Sequence, residues 1–208
     1  MTLDLIALEL TGSVGFDLLS LVALAAIVII GLPHGAFDGA VALALGYGKT
    51  LKSMVGFVVT YVAISLLVVL FWLTFPVIAL LLFLAISAVH FGIGDSQSGA
   101  FLQRGIQSLA HGGLLVVGVS LMHRLEVDPI FAHLVSGETV MLWAALSIVA
   151  YGLAAIFLVY AVLAYRHPKL RLRFGELAGL ALAYYLLPPL VGFALYFCLV
   201  HSARHVCH

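Results

Sequence analysis

Charge is the scarcest resource in this sequence. Only 9% of its 208 residues are Asp, Glu, Lys or Arg, whereas 64% are hydrophobic. Soluble domains are about one quarter charged. A water-soluble fold could not hide so much apolar surface, so lipid must be the solvent for most of the chain. The few charges cancel, nine basic against nine acidic, which leaves no basis for the positive surface that nucleic-acid binding requires. Cysteine is almost missing: Cys198 and Cys207 make neither a disulfide framework nor a C-x-x-C metal site. The first residues carry Asp4, Glu9 and Asp17 but no basic residue, so they do not read as a secretory signal peptide, which begins with positive charge. There is no internal repeat and no low-complexity linker. These absences leave one reading of class: an all-α, polytopic transmembrane helix bundle forming a single integral-membrane domain over residues 1–208.

A helix needs roughly 20 mostly apolar residues to cross a bilayer. Hydropathy predicts spans at 16–32 (ending at Pro33), 53–73, 76–92, 105–122 and 139–165. The apolar stretch 36–45 is too short to span. Pro76 opens its span in the first turn, where proline is tolerated. Residues 95–104 read as a polar connection, 123–138 as a polar loop around Asp128-Pro129, and 166–173 as a basic loop. Residues 176–208 form an apolar region interrupted by Pro188-Pro189. Two readings of that region stand: one kinked helix, or two segments meeting at the proline pair, which removes two backbone donors. The count is therefore about six to seven membrane segments. With the N-terminus outside, and leaving aside Arg204 in the last motif, Lys49, Lys52, Arg104, Arg166, Lys169, Arg171 and Arg173 fall inside and only Arg124 outside, the asymmetry that the positive-inside rule predicts.

Nine histidines are many for a chain of this kind, because imidazole is costly in lipid and belongs in a bundle interior. His34 follows Pro33, and His90 lies near the end of the third span. His201 and His205 are four residues apart, on one face of a helix. If the chain reverses at Pro188-Pro189, all four reach the inner side of the membrane together. Four neutral imidazoles suit Fe(II), Zn, Cu or Ni. Carboxylates commonly orient such ligands by accepting the other ring N–H, and Asp38 and Asp95 follow His34 and His90 at short spacing. Arg204 could balance either acid. Each feature also has a plainer reading: a helix stop at Pro33-His34-Gly35, an ordinary loop acid at Asp95, a helix-end charge at Asp38, interfacial histidines at 201 and 205. His111 reads as a packed, hydrogen-bonded histidine or as a fifth ligand. His123, His133 and His167 read as solvated loop residues, and Gly112-Gly113 as a point of close helix packing.

Four motifs carry a resemblance. GLPHGAFD (31–38), HFGIGD (90–95), RGIQSLAHGG (104–113) and HSARH (201–205) resemble, in order and separation, the Brp/Blh family of membrane β-carotene dioxygenases. The resemblance implies that a non-haem Fe(II) is held by His34, His90, His201 and His205, with Asp38 and Asp95 supporting them. It implies oxidative cleavage of β-carotene by O2 at the central double bond into two retinals, in the cytoplasmic membrane of a prokaryote, with a functional link to a rhodopsin. Family members continue past the HSxRH motif with further membrane segments. This chain ends at His208 and is expected to be truncated relative to them.

The chemistry agrees with that implication. A hydrocarbon offers no handle for acid–base catalysis, so its cleavage needs activated O2, and no protein nucleophile is required. Two other classes use the same residues: a membrane haem protein with axial histidines, and a non-enzymatic carotenoid- or ion-binding membrane protein. A di-iron hydroxylase would need about eight clustered histidines, and this sequence has one i,i+4 pair.

Overall fold

The computed structural model describes residues 17–96 and 100–202, with the backbone alone for residues 31–41. Every regular element among the described residues is a helix. In chain order these are α1 (Leu18–Ala44), α2 (Leu51–Thr74), α3 (Pro76–Asp95), α4 (Phe101–Met122), α5 (Arg124–Leu134), α6 (Val140–Arg166), α7 (Pro168–Leu186) and α8 (Pro189–Leu195). Two stretches are π-helical: Leu114–Gly118 inside α4, and Tyr196–His201, which prolongs α8. Helices α2, α3, α4 and α6 are long and apolar enough to cross a membrane. Helix α2 has no buried residue and exposes leucine, valine, isoleucine and phenylalanine along its length. A helix apolar all round and yet unburied has lipid as its natural surroundings.

Several boundaries depart from hydropathy. Helix α1 does not stop at Pro33 but continues to Ala44, as membrane helices can when neighbouring groups satisfy the backbone that proline frees. The expected basic loop 166–173 shrinks to a break at His167. Pro168 takes the first position of α7, where its missing N–H costs nothing. Arg171 turns back so that Nε and Nη2 donate to the carbonyls of Ala164 (3.3 Å) and Tyr165 (3.0 Å), satisfying two orphan acceptors at the end of α6. The chain does break at the proline pair: Leu187 is extended, and Pro189 opens α8. Of the two readings of 176–208, the two-segment one describes residues 176–202.

The expected loop 123–138 is instead the eleven-residue helix α5. Its apolar face buries Val127 and Phe131 in a cluster with Leu80, Leu142, Trp143 and Leu146, and this burial outweighs the interruption at Pro129. His123 is not solvated. Its Nε2 lies 2.6 Å from the Tyr184 carbonyl oxygen and its Nδ1 3.1 Å from Glu126, which ties the end of α4 to α7. The Trp72 indole donates to the Leu134 carbonyl (3.1 Å), and the Trp143 indole donates to Asp128 (2.5 Å). The first of these bonds comes from α2 and the second from α6, so both pin the short helix.

The Trp143 hydrogen bond, with a second from Thr139 and the attraction of Arg124, holds the Asp128 carboxyl below the usual carboxylate range. A depressed folded-state pKa makes the contribution complete above the unfolded value of about 4 and lost as pH falls through the folded value. Trp143 fluorescence should therefore stay constant from neutral pH down to about 4 and change only in stronger acid. Asp128→Asn should remove that acid transition.

Helices α3 and α4 pack backbone against backbone. A Cβ at Gly112 would fall on the Ala88 carbonyl oxygen, and one at Gly92 on the Ser108 carbonyl oxygen. The two glycines are reciprocal notches, as the expectation for Gly112 required. Gly113 faces the side chain of Leu153 on α6.

Candidate metal centre and apolar cleft

Helix α3 delivers His90 and Asp95, five residues apart. Helix α8 and its π-helical extension deliver Tyr196 and His201. The rings of His90 and His201 lie side by side, tilted by 57°, with centroids 5.8 Å apart. With metal–nitrogen bonds of about 2.0–2.1 Å, two imidazoles on one ion have centroids roughly 4.5–6 Å apart. The observed spacing is compatible with a shared ion. His201 is buried at 2% exposure, whereas His90 is exposed and borders a cleft. One imidazole is thus anchored and the other accessible.

The packing around His201 is aromatic. Phe91 lies edge-on to it at 4.9 Å, and Phe197 stacks on it at 5.8 Å with an interplanar angle of 21°. Phe193 stacks in turn on Phe197. These rings shield the His201 imidazole from water.

Behind the pair, the Tyr196 hydroxyl donates to Asp95 at 2.6 Å, both groups being buried. His111 lies in the same core, its Nδ1 3.9 Å from Asp95, in keeping with the packed reading of that residue. Residues five apart on an α-helix point about 140° away from each other. The π-helical turn, with its i→i+5 spacing, brings Tyr196 and His201 to one side, their centroids 6.0 Å apart. The Asp95–Tyr196 bond therefore braces the turn that carries His201. Nothing in the sequence marked Tyr196, one tyrosine in an apolar run. Tyr196→Phe should cost about 1–3 kcal/mol by leaving a buried carboxylate short of a donor, seen as a lower melting temperature in detergent. Asp95→Asn keeps an acceptor and should cost less than Asp95→Ala.

Among the described residues, no three His, Cys, Asp or Glu side chains cluster as a metal site. Two of the four expected ligands lie outside the described residues. The side chain of His34 belongs to residues 31–41, and His205 lies beyond residue 202, so both, like Asp38 and Arg204, are outside the described residues. Helix α1, which contains positions 34 and 38, packs along α8 and its π-helical extension. His133 and His167 are exposed, as expected.

The cleft has a volume of about 470 Å³ and an almost wholly apolar lining. Its walls come from α3 (Phe83, Ser87, His90), the π-helical stretch of α4 (Leu115, Val116), α5 (Val127, Phe131) and α8 (Phe193). This is the size and character of a site for a small apolar ligand.

Residues 25–208 match the family described as beta-carotene 15,15'-dioxygenase. A protein named beta-carotene 15,15'-dioxygenase, from uncultured marine bacterium 66A03, is 34% identical over 194 residues, covering 92% of this chain and 70% of that protein. No solved structure matches this chain significantly.

Proposed function

Since this chain belongs to the β-carotene 15,15'-dioxygenase family, we propose that it cleaves β-carotene at its central double bond to two retinals. The observation that supports this best is the pairing of the buried His201 with His90, which lines an apolar cleft. A polyene needs such a cleft, and a metal needs such a pair.

In this reading His34, His90, His201 and His205 hold Fe(II), and Asp38 and Asp95 support the ligand cage. Bound Fe(II) supplies the O2 chemistry that a hydrocarbon substrate demands. The reaction balances without a further reductant: one C=C bond breaks, and each of the two new C=O groups takes one atom of O2. The chain's own residues bind and orient. The apolar walls take the polyene from the bilayer, where it already dissolves. The Phe91, Phe193 and Phe197 rings exclude water that would divert partly oxidised species. His90, which lines the cleft, would bring substrate and metal together. The enzyme sits in the bacterial cytoplasmic membrane with its N-terminus outside, and its product serves a retinal-binding protein such as a rhodopsin.

The test is expression of the chain in cells that make β-carotene, with retinal quantified and iron measured in the purified protein. Retinal and about one iron per chain are expected. A haem spectrum, or unaltered carotenoid bound to a metal-free protein, would overturn the reading.

A further inference from the structure

The cleft beside His90 has a length as well as a chemistry. His90 and Phe83 are seven residues apart on α3, about 10 Å along its axis, and both line the cleft. Leu80, three residues further, packs in one buried cluster with Val127 and Phe131, which also line the cleft. The α5 wall therefore stands roughly 10–15 Å from His90, measured along α3.

An extended chain advances about 1.2 Å per bond. From the central double bond of a C40 carotenoid to the outer edge of its terminal ring, nine to ten polyene bonds plus half a ring span roughly 13–15 Å. The cleft is thus as long as half the substrate. The wall is also stiffly held. Phe131 packs on Trp143 at 5.4 Å, Trp143 donates to Asp128, Trp72 donates to Leu134, and His123 ties the start of α5 to α7.

We propose that α5 is the stop that selects the cleavage position: one terminal ring seats against Val127 and Phe131, and the distance from there to His90 presents the central double bond for cleavage. The inference rests on the reading of the chain as a β-carotene-cleaving enzyme and adds the residues that set where the cut falls. No step of the chemistry changes. A slipped substrate still loses one C=C bond and gains two C=O groups, but the two products are unequal and together keep all forty carbons.

The experiment compares carbonyl products by chain length in β-carotene-producing cells carrying the wild-type chain, Phe131→Ala, Val127→Ala or Phe131→Leu. Wild type should give C20 product in large excess over any unequal pair. Phe131→Ala deepens the cleft by several ångströms, room for one or two further polyene repeats of about 2.4 Å. The ratio of unequal to C20 products should then rise at least tenfold. Val127→Ala should shift it in the same direction by less, and Phe131→Leu least. Retinal as sole product from an active Phe131→Ala would overturn the proposal. If that variant does not accumulate, retinal alone from Val127→Ala overturns it equally. Loss of retinal in the wild type itself would instead strike the underlying enzymatic reading. Wild-type retinal with unshifted variants would strike α5 alone.

Discussion

His90→Ala is expected to abolish retinal formation, by at least about 100-fold or roughly 2.7 kcal/mol of transition-state stabilisation, while leaving the melting temperature of the protein near the wild-type value. The two halves of this expectation come from different features of the residue. The ring borders the cleft and is exposed, so its removal opens no core cavity and strands no buried polar group. Its loss also takes one of the two neighbouring imidazoles, and metal retention should fall with activity. His201→Ala should be as severe for activity but less clean. That ring is buried among Phe91, Tyr196 and Phe197, and its removal leaves a void that destabilises in its own right. Retinal yield, iron content and thermal melting on the same two preparations separate the effects. Wild-type retinal and iron from His90→Ala would remove that residue from the centre and leave the geometry of the pair without a chemical meaning.

The parts of the fold that sequence made legible are those fixed by long-range solvent preference. Helices α2, α3 and α6 follow from long apolar runs, and α4 from a weaker one interrupted by Gln107 and His111. The break before α8 follows from Pro188-Pro189, where two missing donors leave the helix no way through. The meeting of His90 and His201 is what that break was expected to allow. Local context decided the features that sequence did not show. Pro33 looked like a stop, yet α1 runs through it. Helix α5 was hidden because its two buried residues, Val127 and Phe131, are too few to raise a hydropathy signal, and Asp128-Pro129 imitates a turn. His123 looked solvated because its partner, the Tyr184 carbonyl, lies 61 residues away. Tyr196 was invisible because reading a helix at 3.6 residues per turn sets it apart from His201. Only the π-helical turn unites them.

A single methyl group at position 112 should do nearly as much damage as losing His90. Gly112 sits against the Ala88 carbonyl and Gly92 against the Ser108 carbonyl. Both obstacles are backbone, which cannot rotate away as a side chain can. Gly112→Ala must therefore force α3 and α4 apart, an overpacking change of typically 1–3 kcal/mol. The displaced helix is the one that carries His90 and Asp95, so the strain reaches the centre as misplacement, and about 1 Å of misplacement can cost 100-fold in rate. Two neighbouring glycines calibrate the effect. Gly113 meets the Leu153 side chain, whose rotamers can adjust, so Gly113→Ala should be milder. Gly105 has open space around it. There alanine should be neutral or stabilising by up to about 1 kcal/mol, because it restricts the unfolded chain without a clash. The expected order of loss in both retinal yield and melting temperature is Gly112, then Gly113, then Gly105. If Gly112→Ala keeps full activity and an unchanged melting temperature, the close approach of α3 and α4 is not what positions His90. The site would then owe its geometry to α8, through the bond between Tyr196 and Asp95.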